Sequence, residues 1–219
     1  MNQDRAEDSA QDSAQDSETA DLATLVMALI VSRYSVAPKR LQSPGPSPDQ
    51  LRQMVEAAAC APDHRGLRPW RLIRVADHQR DALADLFEAC SRDRVLAQGE
   101  TLSPEDAARS RDKAYRAPML LLAVLKAAPD DPEVPLVERA VTLGAALMNL
   151  LLAAHGLGFG AMLTSGRAVR DPRFARAFAL AADEQAMCFV SVGTAISAKR
   201  HARGVASDYL DDWHAGPGT

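Results

Sequence analysis

A chain of 219 residues with 47% apolar and 25% charged side chains has room for one substantial domain and the composition of a globular protein. The formal net charge is −4, but six of the 29 acidic residues and one of the 25 basic residues lie in positions 1–20, which leaves a body of 23 acids and 24 bases. This near-neutral body argues against a general nucleic-acid-binding surface, which requires an excess of basic side chains to displace counterions from phosphates.

The three cysteines, Cys60, Cys90 and Cys188, are odd in number and widely spaced, with no CxxC motif or Cys/His cluster. This pattern argues against a disulfide framework and predicts no metal site. Cys60 and Cys188 lie in apolar sequence, and we expect both to be small buried hydrophobic residues. No secretory signal is visible and the apolar segment 20–31 is too short to span a bilayer. We therefore expect a cytoplasmic protein without a membrane partner.

The chain begins with a polar segment, residues 1–20, that repeats the units EDSA, QDSA and QDSE. Such a segment cannot bury enough apolar surface to offset the entropy lost on ordering. We predict a disordered acidic tail over 1–20 and a folded domain over 21–219. Apolar residues recur at helical spacing from 21 to 33 and predict the first helix. After a proline-rich connector, Ser47 and Pro48 open a second helix that should end before Pro62.

The rest of the chain alternates helices with a few separated strands. Further helices are predicted over residues 77–97, from 103 onward, and over 135–155, with Gly156 as the cap of the last. Strands are predicted over residues 70–75, 119–125 and 187–192. The middle strand is apolar throughout, which is typical of a strand buried on both faces. Beyond position 193 we predict an irregular tail with aromatic anchors.

Two clusters of polar residues lie where a hydrophobic core would not require them. Arg33, Tyr34 and Ser35 follow the first helix, and a guanidinium beside a hydroxyl is suited to a phosphate. A cation that interacts favourably with the helix C-terminus is the alternative. The loop 61–70 (APDHRGLRPW) is bracketed by prolines and contains His64. Its cations and Arg33 together could surround one anionic ligand.

Two further clusters follow later in the chain. Residues 156–166 (GLGFGAMLTSG) contain glycines that let backbone approach a flat ligand closely, and the N–H groups of 163–166 could bind its heteroatoms. A simple helix-to-strand turn is the alternative. The segment follows a helix rather than a strand, which argues against a Rossmann-type dinucleotide fingerprint. A basic cluster over 199–203 follows the last strand, and a solvated tail is its alternative.

In this order, the motifs SRYS, APDHRGLRPWR and HGLGFGAMLTSG, followed by a strand ending in GT and basic residues, closely resemble the nitroreductase family. The resemblance covers roughly residues 22–203, and APDHRGLRPW is its most specific part. It implies an α+β fold in which a mostly antiparallel central sheet lies in a three-layer α-β-α sandwich. It also implies an intertwined homodimer with FMN bound non-covalently at the interface, NADH or NADPH as the hydride donor, and a small-molecule oxidant.

Carried over by position, the resemblance implies how FMN would be held. Arg33 and Ser35 would hold the phosphate, and His64 would reach the flavin from the partner subunit. Lys199 or Arg200 matches a basic position that pairs with the phosphate in relatives. The full set of implied cofactor contacts is Arg33, Tyr34, Ser35, Cys60, His64, Leu163, Thr164, Ser165, Lys199 and Arg200. No side-chain acid or base catalyst is implied, because the cofactor carries the chemistry.

These observations predict an FMN-dependent oxidoreductase that reduces nitro compounds, quinones or related small electrophiles by ping-pong hydride transfer from NAD(P)H. A flavin enzyme of the same fold with a different reaction, and a non-catalytic flavin-binding or regulatory protein, are the alternatives. The helix over 135–155 independently favours a dimer, because apolar or small residues cover most of its circumference. Burial in the core of a large monomer is the alternative, but this chain is not large.

Overall fold

The computed structural model describes residues 19–127, 133–197 and 202–214. Its helices are α1 (Thr19–Ser32), α2 (Pro48–Ala59), α3 (Arg80–Leu96), α4 (Pro104–Asp112), α5 (Leu136–Gly156) and α6 (Pro172–Ala177). Its strands are β1 (Leu41–Gln42), β2 (Trp70–Arg74), β3 (Met119–Lys126), β4 (Gly160–Thr164) and β5 (Glu184–Ala195). Residues 1–18 of the predicted tail lie outside the described residues.

The five strands form one antiparallel sheet with β5 at its centre. β3 and β4 pair with the same stretch of β5 from opposite sides, since both Met119 and Ala161 are partners of Val192. β2 extends the sheet beyond β3, and the two-residue β1 pairs with the end of β5. A parallel bridge between Ser35 and Ala161 adds the segment after α1 to the free edge of β4. The predicted, mostly antiparallel sheet is confirmed.

Alternation along β3 explains why this strand is apolar throughout. Met119, Leu121, Ala123 and Leu125 pack into a core shared with α2 and α5, whereas Leu120, Leu122 and Val124 pack into a second core with α3 and α6. Successive side chains of a strand point to opposite faces, so a strand between two helical layers has no polar face. The sheet is therefore the middle of three layers, as predicted.

Local sequence signals set several helix starts. Ser47 and Gln50 form a reciprocal capping box at the start of α2, and the Ser103 hydroxyl accepts a hydrogen bond from the Asp106 N–H at the start of α4. The helix predicted over 77–97 is a 3₁₀ turn followed by α3, which begins at Arg80. The strand predicted over 187–192 is longer, because β5 pairs with three neighbours along its length.

Two expectations were wrong. Cys60 is exposed, because it caps the C-terminus of α2 outside the stripe formed by Met54 and Ala58. Gly156 is the last helical residue of α5 rather than the residue that ends it in the left-handed conformation. That conformation belongs to Gly158, whose φ is +86°. A side chain at this position would be strained, which explains why glycine stands there.

Within the described residues, α5 is long and apolar enough to cross a membrane by length and composition alone. The core helix of a soluble protein passes the same test, so this is weak evidence for a span. Eight of its side chains are buried, among them Leu143, Leu147 and Leu150, which pack against the sheet. Packing within the chain therefore accounts for the apolar residues on one face of this helix.

The ion pair between Arg71 and Glu184 predicts an acid-dependent loss of stability. The Arg71 guanidinium donates to both carboxylate oxygens of Glu184, at 2.6 and 2.7 Å, and lowers the pKa of this nearly buried carboxyl to about 2. Because the folded-state pKa lies below the unfolded value, the stabilisation is complete above about pH 4.5 and is lost as the pH falls through about 2.

We expect this pair to contribute about 1–2 kcal/mol at neutral pH, a value reduced for the solvent screening of the half-exposed Arg71. Urea unfolding at a series of pH values between about 5 and 2 measures it. The wild type should lose more stability over this range than Glu184→Gln, in which position 184 cannot titrate. Parallel pH dependences in the two proteins would contradict this prediction.

Candidate functional site

The segment that follows α1 is held against the edge of β4. The Val36 N–H donates to the Ala161 carbonyl at 3.0 Å, next to the bridge between Ser35 and Ala161. Gly160 makes this approach possible, because a Cβ there would lie 2.9 Å from side-chain atoms of both Val36 and Leu41. The chain thus brings Arg33, Tyr34 and Ser35 beside the glycine-containing segment, although at least 120 residues separate them in sequence.

A cavity of about 840 Å³, here called the Arg33 cavity, opens at this junction. It is lined by Arg33, Tyr34, Ser35, Lys39, Arg40, Met162, Arg203 and Tyr209, among others. The Arg203 guanidinium lies over the ring of Tyr34, 5.4 Å from its centroid, and donates a hydrogen bond to the Arg33 carbonyl. Four cationic side chains and a serine hydroxyl therefore surround one small space.

The charge arrangement in the Arg33 cavity suits an anion. The Nε–H of Arg33 is buried and has no hydrogen-bond partner in the described part of the chain. Burial, and secondarily repulsion from Arg203, lower the pKa of the Arg33 guanidinium. A buried donor without a partner and two mutually repelling cations both cost free energy. A phosphate, with several acceptor oxygens and negative charge, would relieve both costs.

A second cavity, of about 1040 Å³, lies along β4 and the segment after it and is here called the β4 cavity. Met162 lines both cavities, and Pro38 of the same 33–40 segment lines this one, so the two spaces adjoin. Met162 and the residues from Leu163 to Arg170 form one wall. The buried side chains of Phe87, Leu120 and Phe189 form an apolar floor. This shape suits a flat, largely apolar ligand beside exposed backbone.

The floor of the β4 cavity also contains Cys90, whose thiol hydrogen-bonds to Asp171. Burial, followed by this carboxylate, raises the pKa of the Cys90 thiol to about 11. The thiol is therefore protonated at neutral pH, and Cys90 is not a nucleophile there. Among the described residues, no group of three or more His, Cys, Asp or Glu side chains could hold a metal ion.

The structure brings together six of the predicted site residues. Arg33, Tyr34 and Ser35 line the Arg33 cavity, and Leu163, Thr164 and Ser165 line the β4 cavity. Cys60 and His64 line neither cavity of their own chain. Lys199 and Arg200 lie outside the described residues.

His64 is held at the start of α5. Its Nδ1 lies 2.9 Å from a Glu138 carboxylate oxygen, and the adjacent Arg65 pairs with Glu133 at 2.9 Å. Arg65 and Arg68 have φ values of 62° and 49°, in the left-handed region that disfavours side chains. The His64–Glu138 contact and the Arg65–Glu133 ion pair thus hold a strained loop against the start of α5. A role for His64 in a partner's site stays a prediction.

Two groups of functional candidates are not among the cofactor contacts predicted from the sequence. Arg203 belongs to the predicted basic cluster over 199–203, but only the tertiary structure places it beside Arg33. Arg94, Lys113 and Arg116 line the β4 cavity from the end of α3 and the turn after α4. Lys113 and Arg116 lie in the loop directly before the buried strand β3, and binding residues are often found in such loops. This position in the sequence could have identified them as candidate site residues.

Comparisons with known proteins find relatives that match most of this chain. A model of the nitroreductase family matches residues 30–194. YdjA of Escherichia coli K12, named "Putative NAD(P)H nitroreductase YdjA", is 29% identical over 168 residues, which cover 77% of this chain and 87% of that protein. A Haemophilus influenzae protein named "Putative NAD(P)H nitroreductase" is 30% identical over 178 residues, which cover 81% of this chain and 92% of that protein.

Solved structures share the fold. The nitroreductase-like protein from Bacillus cereus superimposes with a TM-score of 0.70 at 18% identity, covering 87% of this chain and 96% of that one. The FMN complex of a Desulfovibrio desulfuricans protein superimposes with a TM-score of 0.63 at 23% identity, covering 87% of this chain and 98% of that one. At these identities the likeness establishes the architecture alone.

Proposed function

Since the chain belongs to the nitroreductase family and is an oxidoreductase of that type, we propose that residues 21–219 form one domain that binds FMN and reduces small electrophiles with NADH or NADPH. Nitro compounds and quinones are the proposed oxidants. The observation that carries the proposal is the Arg33 cavity, where a buried guanidinium donor without a partner faces a space lined by further cations. It adjoins the β4 cavity, whose apolar floor suits a flat ring.

The residues present fit the phosphate of FMN. Arg33 supplies the buried Nε–H, Ser35 supplies a hydroxyl, and Arg203 supplies a basic C-terminal residue in the described part of the site. Arg203 is itself fixed by the Tyr34 ring and the Arg33 carbonyl, so its charge is held in place before any ligand arrives. Such preorganisation reduces the entropy that binding costs.

The residues along β4 fit the ring of FMN. Leu163, Thr164 and Ser165 would contribute backbone N–H groups and hydroxyls along the ring's edge. Lys113, in the same cavity, would supply a positive charge for the negative charge that a reduced flavin carries near N1 and C2=O. Burial, and secondarily Arg116 and Arg94, lower the pKa of the Lys113 amine. An anionic ring beside it would favour the charged form of this amine.

When bound, FMN supplies hydride transfer between NAD(P)H and an oxidant that use the same space in turn. The chain's own task is then to bind and orient the ring, to keep its face accessible and to place positive charge near its edge. No side-chain acid or base is assigned. His155 supports this view, because its Nε2 lies 2.9 Å from the Ser32 hydroxyl and links the ends of α5 and α1 rather than facing either cavity.

The proposed site is completed by a second copy of the chain. Large apolar side chains of α1 are exposed, with Leu22, Leu25 and Met27 each about 60% or more accessible. On α5, Val137 and Val141 are 68% and 67% accessible, and a Cβ on Gly144 in the same stripe would meet nothing. Apolar surface on two long helices of a single chain is typical of a subunit interface. A homodimer would cover both helices and could bring the loop around His64 to the partner's flavin.

The direct test is the visible spectrum of the purified protein. We expect the absorption bands of an oxidised flavin, bleaching by NADH or NADPH without oxygen, and recovery when a nitroaromatic compound is added. A yellow protein that neither nicotinamide bleaches would overturn the reductase and favour a non-catalytic flavin-binding protein. A colourless protein that takes up no added FMN would overturn the cofactor assignment itself.

A further inference from the structure

The rim of the β4 cavity carries more positive charge than the bound cofactor needs. Six basic side chains line the cavity, Arg94, Lys113, Arg116, Arg167, Arg170 and Arg173, against two acidic ones, Asp93 and Asp171. The chain as a whole has a formal net charge of −4, so this excess is local. Like charges collected around one opening cost free energy through mutual repulsion, and a ligand of opposite charge relieves it.

Ion pairs account for only part of this excess. Arg173 pairs with both acids of the cavity, with Asp171 at 2.7 Å and Asp93 at 2.9 Å. Arg116 pairs with Asp112 at 2.8 Å. The other four cations, Arg94, Lys113, Arg167 and Arg170, have no carboxylate within 4.0 Å in the described ranges 19–127, 133–197 and 202–214. Repulsion by Arg116 and Arg94 contributes to the lowered pKa of Lys113, which indicates that these three cations lie near one another.

Bound FMN would neutralise only part of this positive charge. In the proposed site its phosphate would lie in the Arg33 cavity, and its isoalloxazine ring would carry at most one negative charge, which one cation such as Lys113 would balance. Arg94, Arg167 and Arg170 have no carboxylate within 4.0 Å in the described chain, and all three are exposed at the rim while the floor is apolar. A ligand that fits both parts has a flat apolar body and a negatively charged end.

We propose that the oxidant of this enzyme is a small aromatic electrophile that carries a carboxylate, which the rim cations Arg94, Arg167 and Arg170 bind. This proposal rests on the proposed FMN-dependent reductase activity and specifies the charge of its substrate. The exposed cations contribute to capture and orientation rather than to deep binding, because exposed ion pairs are individually weak and several cations around one opening act together.

The experiment compares 4-nitrobenzoate with the neutral 4-nitrobenzamide as oxidants of the NADH-reduced protein. In the wild type at low salt, kcat/KM for the anion divided by that for the amide defines a preference. We expect Arg94→Gln/Arg170→Gln to lower this ratio about tenfold, the lower end of electrostatic steering effects. About 1 M sodium chloride, where the Debye length is about 3 Å, should lower the wild-type ratio similarly. Arg176→Gln, an exposed arginine outside the cavity, is the matched control and should leave the ratio unchanged.

The outcomes separate the two proposals. If the amide oxidises the reduced protein but neither the double variant nor salt alters the ratio, the anionic substrate is wrong and the reductase stands. If the double variant slows flavin reduction by NADPH but not by NADH and leaves the oxidant ratio intact, the rim binds the 2′-phosphate of the hydride donor, which also overturns the proposal. If neither nitro compound reoxidises the flavin, the proposed reduction of nitro compounds fails, and the anionic nitro substrate fails with it.

Discussion

Replacing Arg33 by alanine is expected to weaken FMN binding roughly 10- to 150-fold. A hydrogen bond to a charged group contributes about 1.5–3 kcal/mol, and each 1.4 kcal/mol is a factor of ten in the dissociation constant. Arg33 is the strongest candidate for such a bond, because its Nε–H is buried and has no partner in the described part of the chain. Titration of the apoprotein with FMN, followed by the quenching of flavin fluorescence, measures the change.

Riboflavin makes the Arg33→Ala test specific, because it has the same ring without the phosphate. The wild type should bind FMN more tightly than riboflavin, and Arg33→Ala should lose most of that preference while its riboflavin affinity changes little. Arg176→Ala removes an exposed arginine that lines neither cavity and should behave as the wild type. An unchanged preference for FMN in Arg33→Ala would remove Arg33 from the phosphate site.

The Arg33→Ala variant also tests whether the Arg33 guanidinium lowers the stability of the ligand-free protein. In the ligand-free protein, Arg33 is partly desolvated and is repelled by Arg203, which is why its pKa lies below the ordinary value. Removing the guanidinium relieves both effects, so the apoprotein should not be destabilised by Arg33→Ala, although it loses affinity for FMN. A binding site that is formed before its ligand arrives is expected to lower the stability of the ligand-free protein in this way.

Local patterns predicted the parts of the fold that local interactions determine. The uniformly apolar β3 indicated a strand between two layers, and Ser47 and Ser103 indicated helix starts, because alternation and capping act within a few residues. β4 was not predicted as a strand. Its five residues follow a glycine-containing turn, and they become a strand only by pairing with β5, which lies about 30 residues later in the chain.

The site was predictable to the extent that its residues are neighbours in sequence. Arg33 and Ser35, and the three residues Leu163 to Ser165, each form a short motif whose composition indicates the chemistry. The rim cations of the β4 cavity come from α3, from the turn after α4 and from the segment after β4, and only tertiary packing brings them together. Cys60 was predicted to be buried but is exposed, because an apolar sequence context does not determine which side of a helix a residue faces.

Introducing glutamate at both Val137 and Val141 is expected to dissociate the proposed homodimer, raising its dissociation constant more than 100-fold. The two valines are one helical turn apart on the exposed face of α5, so they would lie together in the interface. Burying an unpaired carboxylate costs several kcal/mol, and two-fold symmetry places each substitution in the interface twice. Sedimentation over a range of protein concentrations measures the dissociation constant, and flavin content measured on the same samples reports cofactor retention.

Because the variant leaves both cavities of its own chain intact, a loss of FMN together with the dimer would support a site shared between subunits. Leu96→Glu is the control, since Leu96 is 69% exposed at the end of α3 and lies on neither α1 nor α5. It should leave assembly and flavin content as they are in the wild type. A monomeric wild type that retains FMN would refute the shared site. A Val137→Glu/Val141→Glu protein that still dimerises would show that this face of α5 is not the interface.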